Sequence, residues 1–332
     1  MRGALTAAAG RGVDVVLEAS VVASFSRIGC RVRRRVFDWE VLPAGSMAGQ
    51  VAVVTGATGG LGAAIATALS RLGATVWLLG RDRDRTAALA DRIRAQVPGA
   101  DPRIGLADLT RLSAVREVAE NLLRDTERLD VLIHNAGALA PAYERTVDGL
   151  EATVQTQVVA PFLLTALLMP RLRTTPGARV ITVSSGGMYT QRLEVGALDP
   201  DPATFDGVAA YARAKRAQVV LTQEWARRAH DSGVTFHVTH PGWVDTPGLR
   251  TSLPRFGRLM GPVLRSPEEG ADTIVWLAGS QQVRGNGEFW HDRRARSTIR
   301  LPGTSTPAGE ADRLWEWTRA RAGLPATTAG PS

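Results

Sequence analysis

From residue 50 onward, short apolar runs alternate with longer stretches in which apolar residues recur at every third or fourth position. The short runs predict β-strands and the periodic stretches predict amphipathic helices. The predicted strands cover residues 51–55, 75–79, 103–106, 130–134, 179–184, 234–239 and 287–290. The predicted helices lie near residues 61–72, 84–96, 111–125, 146–172, 208–230 and 267–279. Strands that are almost wholly apolar and alternate with helices are typical of a parallel sheet covered on both faces. The predicted fold class is therefore α/β, a doubly wound (Rossmann) parallel sheet of seven strands.

Residues 13–37 carry a different pattern, because their apolar residues follow the three-and-four spacing of a helix. This stripe consists of Leu17, Val21, Phe25, Ile28, Val32 and Val36, and arginines stand at positions 31 and 33–35. Asp14, Glu18 and Arg27 interrupt the apolar run, which argues against a membrane-spanning helix. Two interpretations stay open. The favoured one is a helix packed on the main domain, and the other is an amphipathic helix lying on an anionic membrane surface.

These patterns divide the chain into four segments. Residues 1–12 are small and rich in Gly and Ala, and they are predicted to be disordered. Residues 13–45 form an N-terminal helical extension, and residues 46–302 form the main domain. Residues 303–332 form a tail with a short helix around Leu314, Trp315 and Trp317.

Composition narrows the function classes. The chain has 332 residues and a formal net charge of +8, and its only lysine is Lys215, since every other basic residue is Arg. The arginines are spread along the chain without interleaved aromatic residues, so no nucleic-acid partner is predicted. One cysteine, Cys30, excludes a disulfide framework, and five histidines in no zinc spacing predict no metal site. A cytoplasmic location is expected, with peripheral membrane contact through residues 13–37 as the alternative.

A glycine-rich turn follows the first predicted strand and opens the first helix of the main domain. Such a turn lets the backbone approach a pyrophosphate, and the helix start supplies free N–H groups and a positive dipole end. The candidate cofactor-binding residues of this turn are Thr55, Gly56, Thr58, Gly60, Leu61 and Gly62.

The second predicted strand ends at Gly80 and Arg81. A site for NAD usually carries a carboxylate here that binds the ribose 2′-hydroxyl, whereas a guanidinium can hold a 2′-phosphate. NADP(H) is therefore favoured over NAD(H), with Arg81 as the candidate ligand. Asp82, which stands between Arg81 and Arg83, weakens this preference. The alternative is that the two arginines only begin a solvated helix.

Tyr211 and Lys215 stand four positions apart in a predicted helix, so they share one face. A phenol is a weak acid near neutral pH, and a nearby ammonium lowers its pKa. The pair can then donate a proton to a carbonyl or remove one from an alcohol. Ser185 ends a strand at the same edge of the sheet and can bind the substrate oxygen. Neighbouring Ser184 is the alternative, because only one of the two can point into the crevice.

Together these motifs resemble the short-chain dehydrogenase/reductase family over residues 50–292. Within that family, residues 183–188, 205–207, 215–216 and 240–243 resemble the subgroup called the member-twelve type, which also carries an N-terminal extension. The resemblance implies a catalytic set of Ser185, Tyr211 and Lys215. It further implies that Tyr211 and Lys215 contact the cofactor together with Asp108, Leu109, Asn135, Ala136, Gly137, Pro241, Gly242, Val244 and Thr246. Members are commonly dimers or tetramers, so a homodimer or homotetramer is expected.

One position departs from the family pattern. Gln157 stands where many members place an Asn that holds a water in a proton relay to the lysine, so Gln157 is a candidate for that role from a shifted position. Two long loops, after Ser185 and after Thr246, are expected to wall an apolar substrate pocket. Its candidate lining residues are Met188, Tyr189, Trp243 and Leu249. The alternative is that the aromatic residues among them are packed core.

The function predicted from these features is NADP(H)-dependent reduction of a carbonyl or oxidation of a secondary alcohol. Two alternatives stay open. One is a weakly active or inactive cofactor-binding scaffold at a membrane surface, suggested by Gln157 and the basic N-terminal helix. The other is a nucleotide-sugar epimerase of the extended type, since Gly56, Gly59 and Gly62 fit its glycine spacing.

Overall fold

A computed structural model describes residues 2–325. Its sheet has eight strands in the order β3-β2-β1-β4-β5-β6-β7-β8, all parallel except the last pair. The strands are β1 (Val51–Thr55), β2 (Thr75–Gly80), β3 (Pro102–Leu106), β4 (Val131–His134), β5 (Arg179–Val183), β6 (Thr235–Thr239), β7 (Phe289–His291) and β8 (Arg294–Ala295). The doubly wound α/β fold is confirmed. The predicted count of seven strands was one too few, because the short antiparallel β8 was missed.

Helices cover both faces of this sheet. Those of the N-terminal extension are α1 (Arg2–Ala19), α2 (Val21–Phe25) and α3 (Arg27–Val36). The crossover helices are α4 (Gly60–Arg71), α5 (Arg83–Gln96), α6 (Leu112–Asp125), α7 (Ala152–Val154), α8 (Ala160–Thr174) and α9 (Gly207–Arg228). The remaining helices are α10 (Pro247–Ser252), α11 (Pro254–Met260), α12 (Pro267–Gly279) and α13 (Glu310–Arg321). Apolar side chains from each face of the sheet form two separate buried clusters with these helices.

The helical segment that contains Gln157 is interrupted. A π-helical turn, Gln155–Val159, separates α7 from α8, and π-turns of this kind occur often at functional sites. The whole segment Ala152–Thr174 is long and apolar enough to cross a membrane, but 83% of its most apolar window is buried. It is a core helix of this fold.

The N-terminal extension differs from its prediction in two ways. Helix α1 begins at Arg2, within residues 1–12 that were predicted to be disordered, and Met1 lies outside the described residues. The single predicted helix is also broken twice. Ser20 and Ser26 accept hydrogen bonds from Ala23 N and Ile28 N, so each caps a new helix. The tail helix α13 lies where a short helix was predicted, and residues 326–332 of the tail lie outside the described part of the chain.

Charged residues, together with Phe25 of the predicted apolar stripe, attach this extension to the main domain. Arg33 of α3 is fully buried and donates to Asp14 Oδ1 at 2.8 Å and to Asp292 Oδ2 at 2.6 Å. Arg265 donates to both oxygens of Asp292, at 2.6 and 3.0 Å. The interpretation that the extension packs on the main domain therefore describes the structure, although ion pairs supply much of the contact.

Candidate active site

The turn between β1 and α4 has a shape that only glycine permits. Gly56 and Gly60 have positive φ angles of 63° and 52°. A Cβ on Gly62 would lie 2.2 Å from the Gly56 carbonyl oxygen, and one on Gly56 would lie 2.8 Å from the Ala136 Cα. Because these glycines carry no side chain of their own, a phosphate can approach the free N–H groups at the start of α4. The turn therefore fits the pyrophosphate of a dinucleotide.

The loop after β4 braces the turn. The side-chain amide of Asn135 donates to the carbonyls of Thr55 and Gly56, at 3.0 and 3.2 Å. The backbone N–H groups of Asn135 and Ala136 donate to the Thr55 hydroxyl, at 3.0 and 3.1 Å. Thr55, Asn135 and Ala136 thus hold the cradle in place from the sheet side.

The other predicted cofactor residues surround the same sheet edge in different ways. Thr246 lies beside the turn, since its methyl carbon would be 3.1 Å from a Cβ on Gly60. Asp108 accepts hydrogen bonds from the backbone N–H and the hydroxyl of Thr110, while neighbouring Leu109 is buried in the core. Val244 is buried, and its backbone forms an isolated parallel β-bridge with that of Arg265. Gly242 has φ of +77°, and a Cβ there would lie 2.6 Å from the Phe25 carbonyl oxygen.

The end of β2 has no room for an acidic side chain. A Cβ on Gly80 would lie 2.4 Å from Thr86 Oγ1 and 2.7 Å from Thr58 Cγ2. Arg81 follows and is exposed. Sequence reasoning missed Arg85, whose guanidinium would be 3.6 Å from a Cβ on Gly59 in the turn. Its position four residues after Arg81, at the start of α5, was the available signal.

Tyr211 and Lys215 share one face of α9, with Lys215 Nζ 5.3 Å from the centre of the Tyr211 ring. The Ser185 hydroxyl lies near enough to the Tyr211 phenol to lower its pKa. Ser184, in contrast, is buried and donates to the Lys215 carbonyl oxygen at 2.9 Å. Of the two neighbouring serines, Ser185 is therefore the one placed beside the tyrosine.

Burial sets the electrostatics of this pair. It lowers the pKa of the Lys215 ammonium to about 7, because water is excluded from the charged form. Burial also raises the pKa of the Tyr211 phenol, and the hydrogen bond with Ser185 partly opposes that rise. The phenol is thus a proton donor at neutral pH, beside an amine that gains and loses its charge in the physiological range.

Among the described residues, no direct hydrogen bond joins the Gln157 side chain to Lys215. Its Nε2 donates to the Ala138 carbonyl at 2.9 Å, in the loop that follows Gly137. Its main-chain carbonyl instead accepts from Gln218 Nε2 at 2.7 Å, and Gln218 Oε1 accepts from Lys215 Nζ at 3.1 Å. Sequence reasoning missed Gln218, although it lies three residues after Lys215 on the same helix.

The predicted substrate residues fall into two groups. Met188 and Tyr189 are buried in a small core cluster, and the Tyr189 hydroxyl donates to the Ser297 carbonyl at 2.9 Å. The structure thus places both in the core, and for Tyr189 this agrees with the alternative that the aromatic residues are packed core. Trp243 and Leu249 are only partly buried. Trp243 packs edge-on against Phe256, with ring centres 5.1 Å apart.

Phe25 was also missed, and it brings the N-terminal extension to the site. A Cβ on Gly186, the residue after Ser185, would lie 2.4 Å from the Phe25 ring. The ring also lies 5.9 Å from that of Trp243, and the Phe25 carbonyl accepts from Trp243 N at 2.8 Å. The extension therefore supports both loops that flank the catalytic residues.

Comparison with known proteins identifies the family. The family model described as short chain dehydrogenase matches residues 50–255. The chain is a member of the short-chain dehydrogenase/reductase family. This short-chain dehydrogenase is 39% identical over 271 residues to "Dehydrogenase/reductase SDR family member 12" of Bos taurus, covering 81% of this chain and 84% of that protein. The predicted resemblance to the family and to its member-twelve type is confirmed.

Two further relatives extend the comparison. This short-chain dehydrogenase is 33% identical to "Retinol dehydrogenase 14" of Mus musculus, covering 84% of this chain and 88% of that protein. It also resembles the solved "Pseudomonas aeruginosa RhlG/NADP active-site complex", with a TM-score of 0.61 and 27% identity. That match covers 75% of this chain and 96% of the other. The chain is accordingly a nicotinamide-dependent alcohol or carbonyl oxidoreductase.

Proposed function

We propose that this short-chain dehydrogenase uses NADP(H) to reduce an apolar ketone or aldehyde, or to oxidise the corresponding alcohol. The observation that carries the proposal is the placement of Tyr211, Lys215 and Ser185 at the sheet edge that also bears the glycine cradle. One relative is named a retinol dehydrogenase, which supports an apolar alcohol or aldehyde as the substrate class. The relatives are named dehydrogenases and reductases, so neither the epimerase nor the scaffold alternative is favoured.

Ser185, Tyr211 and Lys215 have separate roles in the reaction. Ser185 and Tyr211 bind the carbonyl oxygen and hold it in place. NADPH, when bound, supplies the hydride that reduces the carbonyl carbon. Tyr211 gives its phenolic proton to the oxygen, so that carbon and oxygen together gain one hydride and one proton. The Lys215 ammonium stabilises the phenolate that remains on Tyr211. Oxidation of an alcohol runs through the same groups in reverse.

The test uses purified protein with NADPH or NADH and a panel of apolar ketones and aldehydes that includes retinal. We expect a carbonyl-dependent loss of NADPH absorbance, with a lower KM for NADPH than for NADH. Cofactor binding without turnover of any carbonyl would contradict the proposed activity.

The preference for NADPH is expected to depend on Arg81 and Arg85. Guanidinium groups bind phosphate in bidentate fashion, so the Arg81→Ala/Arg85→Ala variant loses affinity for the 2′-phosphate. We expect KM for NADPH to rise at least tenfold while KM for NADH stays within about twofold, since NADH lacks that phosphate. Arg103→Ala is the control, because Arg103 is exposed and pairs only with Asp101 among the described residues. Equal increases for both cofactors would remove these arginines from 2′-phosphate binding.

A further inference from the structure

The outward side of helix α1 from residue 12 onward, and that of the short helix α2, is apolar, whereas the outward side of an ordinary surface helix is polar. Asp14 and Glu18 face inward, where Asp14 contacts Arg33 and Arg296 and Glu18 contacts Arg33 and Arg300. The outward side carries exposed valines, which we call the valine face: Val13, Val15, Val16, Val21 and Val22. Val15 and Val16 are 69% and 71% exposed, and every exposed residue from 12 to 22 is uncharged.

A basic helix lies beside the valine face. Helices α1 and α3 run antiparallel, since Asp14 pairs with Arg33 while a Cβ on Gly10 would lie 2.9 Å from Val36. On α3, the exposed residues Ile28, Arg31 and Arg35 follow the spacing of one helix face, and Arg31 also donates to Glu269 Oε1 at 2.8 Å. The outer surface of the extension therefore combines apolar and cationic groups.

We propose that this surface docks on an anionic lipid bilayer. Apolar side chains that insert shallowly below the headgroups, with arginines at the phosphate level, are the arrangement by which interfacial helices bind membranes. A second copy of the chain fits less well. Five partly exposed valines offer roughly a few hundred Å², whereas a stable dimer buries about 800 Å² per partner. Self-association would also bring Arg31 and Arg35 of two copies together.

Docking would bring the catalytic site close to the lipid. Helix α2 ends at Phe25, which packs on Gly186 and Trp243 beside Ser185. An apolar substrate dissolved in the bilayer would then need only a short path to the site. This consequence rests on the proposed function, but the docking itself does not.

The test is co-sedimentation of the full chain with vesicles of phosphatidylcholine alone or mixed with phosphatidylglycerol. We expect binding to the mixed vesicles that falls severalfold when salt is raised, because screening weakens the arginine contacts. The Val15→Glu/Val16→Glu variant should bind at least tenfold more weakly. The matched control is Val41→Glu/Val147→Glu, which adds the same charge at positions that are 86% and 83% exposed.

Three results would overturn the proposal. The first is wild-type protein that sediments with neither vesicle. The second is a control variant that loses binding as strongly as the valine-face variant. The third is a dimer in analytical ultracentrifugation that the Val15→Glu/Val16→Glu change dissociates, together with no vesicle binding. In that case the surface belongs to a second copy of the chain.

A second, independent observation concerns the buried amide of Gln218. Its Oε1 accepts from the Lys215 ammonium at 3.1 Å, and its Nε2 donates to the Gln157 carbonyl at 2.7 Å. Lys215 also donates to the Val183 carbonyl at 2.9 Å. Only one orientation of the amide satisfies both partners, because the ammonium has no acceptor and the carbonyl has no donor.

We infer that Gln218 is a positioning residue for Lys215 and joins it to the π-turn. Three fixed points, Val183, Gln218 and the helix backbone, then determine where the ammonium lies relative to Tyr211. An amide does not pass a proton between its two ends as a water or hydroxyl does. The connection from Lys215 to the main-chain carbonyl of Gln157 is therefore a structural brace, distinct from the predicted relay through the Gln157 side chain.

Lys215 is the only lysine, so isotope-labelled lysine gives a single side-chain NMR signal that reports its titration directly. We expect a wild-type midpoint near 7, in line with the pKa lowered to about 7 by burial. Gln218→Glu places a carboxylate against the ammonium and should raise the midpoint by at least one pH unit. Gln218→Leu removes the acceptor and should lower it. The exposed Gln223→Glu change on the same helix is the matched control.

The other titratable groups near this brace are Tyr211 on the same helix and His134 from β4. Both are uncharged near neutral pH, since burial lowers the pKa of His134 to about 3 and raises that of Tyr211. If the Gln218 variants leave the Lys215 signal unchanged, or if Gln223→Glu shifts it equally, the positioning role is excluded. The measurement needs no turnover, so it remains decisive even if the proposed activity fails.

Discussion

Turnover by the Tyr211→Phe variant is expected to fall by about 10²–10⁴-fold, the range lost when a general acid is removed. The substitution deletes one hydroxyl and leaves the ring between Ser185 and Lys215. Affinity for NADPH, measured by quenching of tryptophan fluorescence, should therefore change little. Steady-state rates with the best carbonyl of the panel provide the measurement.

The control for this experiment is Tyr143→Phe, which removes the hydroxyl of a tyrosine that packs against Phe205. It should retain wild-type turnover. If Tyr211→Phe were to keep most of the activity, another group would have to supply the proton. Our assignment of Tyr211 as the acid would then be wrong.

Asp292→Asn is expected to lower the free energy of unfolding by about 3–5 kcal/mol, the usual cost of removing one partner from a buried ion pair. Asp292 faces two buried guanidinium groups, those of Arg33 and Arg265, at 2.6 Å each. Burial alone would raise the pKa of the carboxyl, but the charges of His291, Arg265 and Arg33 lower it well below its usual value. The contribution of the ionised Asp292 carboxylate to the free energy of unfolding is therefore present at neutral pH. It is lost only as the pH falls through the acid range.

Urea denaturation followed by circular dichroism measures this effect at neutral pH. Asp101→Asn is the control, because Asp101 and Arg103 form an exposed pair that should contribute less than about 1 kcal/mol. A loss for Asp292→Asn no larger than that of the control would mean that the buried cluster does not stabilise the fold.

The regular part of the fold was predictable because its determinants are local. Apolar runs of four to six residues placed β1 to β7 within about two residues, and the glycine turn lay where strand and helix met. The strand β8 was missed because its hairpin turn contains no glycine. Asp292 and Arg293 have φ angles of 50° and 57°, and contacts with Arg33, Arg265 and Asp272 hold them there.

In the candidate site, too, the residues set by local sequence were predictable and those set by distant contacts were not. Tyr211, Lys215 and Ser185 could be identified from spacing and strand position alone. Gln218 and Phe25 could not, because each acts through a partner from a distant part of the chain. Gln218 contacts Gln157, which lies 61 residues away, and Phe25 contacts Gly186 and Trp243 in two separate loops. The sequence offered a membrane-binding helix over residues 13–37 but not its outward face, because the partners that turn Asp14 and Glu18 inward include residues near position 300.

The ion cluster that holds the N-terminal extension also determines the order in which the chain can fold. Arg33 and Asp292 are 259 residues apart, and Arg265 reaches the Phe25 carbonyl across 240 residues. At a synthesis rate of about 5–20 residues per second, the extension leaves the ribosome on the order of tens of seconds before its partners exist. During that interval Arg33 lacks Asp292, and Glu18 lacks Arg300. The extension can therefore reach its final contacts only after the chain has been made as far as Arg300.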